Sequence, residues 1–241
     1  MNQIFRQYFD KTSSTYTYLI GDVINRVAVY IDTVQELADR ELNTIKEFGF
    51  ERVHLVSTHV HADHVTGNAS IKTNLGQKAE SIISKYYGNA KADKLVGEDD
   101  TLEFGSLRLN FLHTPGHTSG CICIVDHENR RVFTGDTLLV RGCGRTDFQG
   151  GSSQQLYESV HNKLFKLPYD YTVYPAHDYN GRTATSIYEE IHFNPRLSKP
   201  KDEFISIMAN LNLAYPKMLD IAVPRNLNCG YEGSGCNRGN Q

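Results

Sequence analysis

Val53-His54-Leu55-Val56-Ser57-Thr58-His59-Val60-His61-Ala62-Asp63-His64 packs three imidazoles and one carboxylate between His59 and His64, directly after a short apolar run. The β-branched and apolar residues of 53–57 predict a buried strand, so the polar cluster falls at the strand's end, where a turn gathers side chains. His59 and His61 can converge there, with Asp63 and His64 in the turn or on the first turn of the next helix. Imidazole nitrogen and carboxylate oxygen suit zinc, iron or manganese. A single histidine in such a place is more often a satisfied, part-exposed side chain than a ligand. Four donors so close together favour a metal site.

The same strand-end rule recurs along the chain. Segments 101–104 and 107–112 flank Gly105-Ser106 as a hairpin that runs into His113-Thr114-Pro115-Gly116-His117. Strands 121–125 and 131–134 follow, and the second delivers Gly135-Asp136; strand 171–174 then leads into Pro175-Ala176-His177. Before the metal cluster, 15–20 and 27–31 read as a hairpin around Gly21-Asp22, and 33–48 reads as a helix stopped by Gly49. Segments 68–75, 152–164, 183–192 and 202–211 have helical spacing, and 81–84 reads as a further strand. Strand-end loops that each bring His or Asp imply an α/β layered domain, with strands ending on one side and two related βαβ halves. Pro216 and Pro224 make the last part a wrapping extension, starting from about 183, and the Gly- and Asn-rich tail 231–241 is expected to fray.

A length of 241 residues suits one catalytic domain, and no linker, repeat or low-complexity tract marks a second. With 39% hydrophobic and 22% charged residues, the chain reads as globular rather than disordered. A net charge of -3 without any Lys/Arg-rich stretch excludes nucleic acid as an expected partner. No apolar run approaches the ~20 residues of a membrane-spanning helix, and residues 1–11 lack the apolar core of a secretory signal; no membrane partner and a cytoplasmic location are expected. Cysteines 121, 123, 143, 229 and 236 are odd in number and lack CxxC spacing, which fits a reducing compartment and supports neither a disulfide framework nor a thiolate zinc site. Cys121 and Cys123 read as core packing.

Taken together, His59-x-His61-x-Asp63-His64, Thr114-Pro115-Gly116-His117-Thr118-x-Gly120, Thr134-Gly135-Asp136 and Pro175-Ala176-His177 resemble the metallo-β-lactamase superfamily. That resemblance implies an αββα sandwich of two mixed β-sheets with outer helices and a metal at one edge. Gly142-Cys143-Gly144-Arg145-Thr146-Asp147-Phe148-Gln149, His177-Asp178-Tyr179, Asn194-Pro195-Arg196-Leu197 and Ala222-Val223-Pro224 look like the persulfide dioxygenase (sulfur dioxygenase) branch, which is related to glyoxalase II. The match runs from about 9 to 230.

The resemblance implies oxidation of glutathione persulfide to sulfite and glutathione, with O2 as co-substrate and one Fe(II) per chain, in a possible homodimer. It places the iron ligands at His59, His117 and Asp136, and two histidines with one carboxylate are a set that leaves coordination positions open for substrate and O2. It places glutathione contacts at Arg145, Tyr179 and Arg196, the arginines because a guanidinium binds carboxylate bidentately. His61, Asp63, His64 and His177 are then groups that orient the ligands or hold water, although the matching residues of two-metal relatives complete a second metal position. The alternative is accordingly a glyoxalase II-like zinc or dinuclear thiolester hydrolase acting on S-acylglutathione. A sensor that only binds metal or sulfur needs an effector domain, and none is visible. His113 and Cys143 are expected to pack or hydrogen-bond rather than react.

Overall fold

Apolar, β-branched segments broken by turns build two sheets in the computed structural model, which describes residues 3–233. The first contains β1 (Gln3–Phe9), β2 (Tyr16–Asp22), β3 (Val27–Ile31), β4 (Arg52–Val56), β5 (Ala79–Ser84) and β6 (Lys94–Val96), hydrogen-bonded in that order. β1 to β3 pair antiparallel, and β3 to β6 pair parallel. Parallel neighbours need a crossover, supplied by α1 (Ala38–Phe48) and α2 (Asn68–Leu75). Ala38 and Ile45 of α1 bury against Leu19, Tyr30, Val53 and Leu55. Full burial of a side chain such as Ile45 contributes about 1.5–3 kcal/mol. The chain leaves α1 through Gly49 at φ 67, whose N–H caps the carbonyls of Ile45 and Lys46.

The second sheet runs in the order β12-β11-β10-β9-β8-β7, from β7 (Thr101–Phe104), β8 (Leu107–His113), β9 (Ile122–Asp126), β10 (Arg131–Gly135), β11 (Thr172–Pro175) and β12 (Thr185–Ser186). Its parallel pair, β10 and β11, is joined through α3 (Ser153–Asn162), whose N-terminus is capped by the Ser152 hydroxyl accepting from Gln155 N–H. α4 (Ile187–Phe193) and α5 (Lys201–Ala209) add Ile187, Phe204 and Met208 to a core with Val132, Leu156, Val160 and Val173. α6 (Leu219–Asn226) closes the described chain.

The expected hairpins, α1, α2 and α3 stand close to where the patterns put them. The half-exposed β1 and the short β6 and β12 had no pattern long enough to announce them. Helix 33–48 opens as a 3-10 turn at Gln35–Leu37, and 183–192 divides into β12 and α4. Pro224, in the expected helical or wrapping extension, lies inside α6. As the sixth residue of α6 it has no N–H to give the Asp220 carbonyl, so one i→i−4 bond of the helix is lost. Residues 234–241, with Cys236 and most of the expected frayed tail, lie outside the described residues.

The chain folds as two compact units. One takes the chain up to Val96, Leu102–Arg108 and the chain from Pro216 onward; the other takes Gly97–Thr101 and Leu109–Tyr215. No helix among the described residues is long and apolar enough to cross a membrane.

Candidate metal centre

In the first unit the histidine loop leaves β4 beside the end of β3, and the organising group is Asp32, the residue after β3. Asp32 is held at φ 54, donates its N–H to Val56 O (2.9 Å) and is buried. Its Oδ1 accepts from Thr58 N–H (2.8 Å) and from His61 Nε2 (3.0 Å), and its Oδ2 accepts from the Thr58 hydroxyl (2.7 Å). Having given its proton to Asp32, the Thr58 hydroxyl accepts from His59 Nδ1 (3.0 Å). One carboxylate therefore selects two tautomers: the lone pair of His59 falls on Nε2 and that of His61 on Nδ1. His64 Nδ1 donates to Asp63 Oδ2 at 3.0 Å. The rings of His59 and His61 lie 3.9 Å apart and those of His61 and His64 4.4 Å, all buried, while Asp63 is partly exposed.

The loop's backbone is fastened from α6. The Asn226 amide donates to His61 O (2.9 Å) and His64 O (2.8 Å) and accepts from Thr66 N–H (2.8 Å). Tyr87 adds a hydroxyl that accepts from Val60 N–H at 2.8 Å.

In the second unit three strand ends bring His117, Asp136 and His177 together. β10 and β11 run parallel with an irregularity between Phe133 and Gly135, and Ala176 N–H bonds Gly135 O (2.9 Å), so Asp136 and His177 leave the sheet side by side. His177 Nδ1 donates to Asp136 Oδ1 at 2.6 Å. His117 Nδ1 donates to the backbone carbonyl of Arg145 at 2.7 Å, which leaves its lone pair on Nε2, 3.5 Å from Asp136 Oδ2. Within the first unit His59, His61, Asp63 and His64 thus lie on one loop, and within the second His117, Asp136 and His177 stand together.

The residues expected to meet glutathione have varied surroundings. The Arg145 guanidinium is bidentate on Asp147 (Nε–Oδ1 and Nη2–Oδ2, both 2.7 Å) and donates to Ala214 O (2.7 Å) and Leu213 O (3.3 Å). The hydrogen bond from Arg145 holds the Asp147 carboxyl below its usual range, against the opposing effect of burial. Arg145 and Asp147 line a cavity of about 400 Å³ with Ser153, Met208 and Leu213. Tyr179 is 71% exposed, its ring parallel to His177 within 3° at 6.2 Å. Arg196 points Nη1 at Met208 Sδ (3.9 Å), beside Cys143.

Burial pushes the Cys143 thiol up to about 11, Arg196 offsetting part of the effect, and pushes Cys121 and Cys123 up to about 12. All three stay protonated at neutral pH, so none is a ready nucleophile. His113 bonds Ser119 O (3.0 Å) and sits between Glu98 and Lys163, a tethering role.

Sequence reasoning passed over Asp32, Thr58 and Asn226. Asp32 follows a strand just as Asp136 does, so the strand-end rule could have found it. Asn226 has no local signal, being 165 residues from His61.

The family described as the metallo-beta-lactamase superfamily matches residues 38–177. This is the class that the two mixed sheets and the His/Asp strand ends define. The mitochondrial persulfide dioxygenase ETHE1 of Mus musculus is 48% identical over 229 residues, 95% of this chain and 89% of the relative. A hydroxyacylglutathione hydrolase of Rhizobium meliloti is 32% identical over 200 residues, 81% of this chain and 73% of the relative. The crystal structure of ETHE1 from Myxococcus xanthus superposes with a TM-score of 0.88 at 49% identity, covering 95% of this chain and 100% of that one. The chain belongs to the persulfide dioxygenase family of the metallo-β-lactamase superfamily, and has that superfamily's fold of two mixed six-stranded β-sheets with helices.

Proposed function

We propose that the chain is a persulfide dioxygenase that oxidises glutathione persulfide with dioxygen to sulfite and glutathione, using one iron(II) held by His59, His117 and Asp136. The observation that carries this reading is 48% identity to the mouse persulfide dioxygenase over 95% of the chain. The donor set fits the metal: two imidazoles with lone pairs on Nε2 and one carboxylate would hold iron(II) and, being only three donors, would leave room for sulfur and dioxygen. Iron(II) held there would supply the redox chemistry that lets dioxygen react with sulfur, while the four electrons that dioxygen takes up come from the outer sulfur of the persulfide.

The protein's own groups do the positioning. His177 occupies one oxygen of Asp136 and so reserves the other for metal. Asp32, acting through Thr58, keeps the His59 proton on Nδ1, and the Arg145 carbonyl does the same for His117. His61, Asp63, His64 and His177 orient these groups and hold water rather than binding a second metal. Tyr179 and Arg196 meet the glutathione moiety; Arg145 reaches a substrate carboxylate only by exchanging it for Asp147. The persulfide arrives as an anion and needs no general base. One persulfide anion, one dioxygen and one water balance against one glutathione, one sulfite dianion and one proton.

The two units serve as a single catalytic domain, with the extension from about 183 as part of it, in a homodimer. A cytoplasmic location is supported by the odd set of cysteines without CxxC spacing.

A two-metal thiolester hydrolase of the glyoxalase II kind is the second reading, favoured by the further donors His61, Asp63, His64 and His177 and by the Rhizobium meliloti relative. Elemental analysis of protein purified without chelator or added metal, with an oxygen-electrode assay on glutathione persulfide, separates the two. One iron per chain and oxygen uptake are expected. Two metals per chain, hydrolysis of S-lactoylglutathione and no oxygen uptake would replace the dioxygenase by the hydrolase.

A further inference from the structure

We infer that Gly144 is a positioning residue for the metal centre: its missing side chain sets the spacing of His117 and Asp136, and the Arg145–Asp147 pair locks it in place. The inference rests on the proposal that these two residues are iron ligands.

Two successive residues touch the two ligands. Gly144 N–H donates to the backbone carbonyl of Asp136 (2.7 Å), and the Arg145 carbonyl accepts from His117 Nδ1 (2.7 Å). A Cβ at position 144 would lie 2.6 Å from Asp136 O, 2.7 Å from His117 Nδ1 and 2.8 Å from His117 Cγ. All three are closer than carbon approaches such atoms, and none is the far end of a flexible chain. Gly144 is not among the glycines with positive φ, so the requirement is for space and not for a left-handed backbone.

The loop has no slack to relieve a clash. At its start Arg141 N–H donates to Glu190 Oε2 (3.0 Å), and the Asn194 amide donates to Gly142 O (3.1 Å). At its end Arg145 is fastened by Asp147 and the carbonyls of Leu213 and Ala214. Gly151 closes the other side of His117, since a Cβ there would lie 2.5 Å from Thr146 O and 2.9 Å from His117 O. An added methyl at 144 must therefore be absorbed by the His117 ring or by Asp136, which moves a ligand atom. Groups that orient ligands in this way typically change metal affinity by about tenfold to a hundredfold when altered.

The test compares wild type, Gly144→Ala, Asp147→Asn and His117→Ala by iron per chain, rate of iron loss to a chelator, the electron paramagnetic resonance spectrum of the iron(II)–nitrosyl form, and the melting temperature of chelator-stripped protein. For Gly144→Ala the expected result is a stripped protein that melts as wild type does, loses iron about tenfold to a hundredfold faster and has an altered nitrosyl spectrum. Asp147→Asn loosens the lock from an exposed position and is expected to move the same readouts in the same direction by a smaller factor. Wild-type iron retention and spectrum in Gly144→Ala overturn the inference, as does a fall in the stripped protein's melting temperature that accounts for the whole loss of iron. If Gly144→Ala does not fold, wild-type iron retention in Asp147→Asn overturns it. Undiminished iron in His117→Ala overturns the ligand assignment beneath it instead.

Discussion

Asp32 shows how much one buried carboxylate can decide. Both of its oxygens are used, one on His61 and the Thr58 amide, the other on the Thr58 hydroxyl, and through that hydroxyl it chooses which nitrogen of His59 carries the proton. In Asp32→Asn an NH2 group replaces one acceptor and must face a donor. Either His61 or Thr58 has to turn over, and the His59 lone pair is no longer held on Nε2. Chelator competition is expected to show iron affinity lowered about tenfold to a hundredfold, and unchanged affinity would remove Asp32 from the metal centre. The sequence identified the donor types because imidazole and carboxylate have little other reason to cluster at strand ends. Which nitrogen each imidazole presents depends on partners that only the fold supplies, as Thr58 and the Arg145 carbonyl illustrate.

α6 holds the metal loop through Asn226, which bonds two carbonyls and one N–H. Truncation in Asn226→Ala leaves three buried backbone groups unsatisfied, at about 1 kcal/mol or more each, so a urea titration is expected to show a loss of roughly 3 kcal/mol. A second element-level device is the β2–β3 turn, where Asp22 accepts from Asn25 N–H (3.0 Å), the Asn25 amide (2.7 Å), Ser106 N–H (2.9 Å) and the Ser106 hydroxyl (2.7 Å). Burial alone would raise its pKa, but these donors outweigh burial and hold it well below the ordinary value of 3.8. A carboxyl whose folded pKa is depressed stabilises the native state above its unfolded value and loses that contribution as pH falls toward the folded one. Stability is thus expected to decline as the pH drops below about 4, and Asp22→Asn should flatten that part of a melting-temperature profile; an identical acid limb in the variant would assign it to other groups. The long, periodic elements were legible in the sequence because their burial is regular. β1, β6 and β12 were not, being half-exposed or very short.

At the scale of the molecule, the chain from Pro216 onward clusters with the N-terminal sheet, although more than a hundred residues of the other unit intervene. The proposed ligand set is His59, His117 and Asp136. Bound iron then stabilises the native state of the whole chain by mass action, about 2.7 kcal/mol when free metal exceeds its dissociation constant a hundredfold. Chelation is expected to lower the melting temperature, with recovery on adding iron(II) anaerobically. No shift on chelation would mean that the native state does not hold the metal.

The sequence by itself determined the donor chemistry, the strand-end placement of each donor and the family, because ligand identity and apolar periodicity are properties of short stretches. Only the tertiary structure decided what holds those donors: Asp32 at a neighbouring strand end, Asn226 from a distant helix, and Asp147 fastening Arg145, a residue the sequence had assigned to substrate. The reason is that hydrogen-bond partnership and excluded volume belong to residues that folding brings together. The methyl-free space at Gly144 is visible only once His117 and Asp136 stand on either side of it.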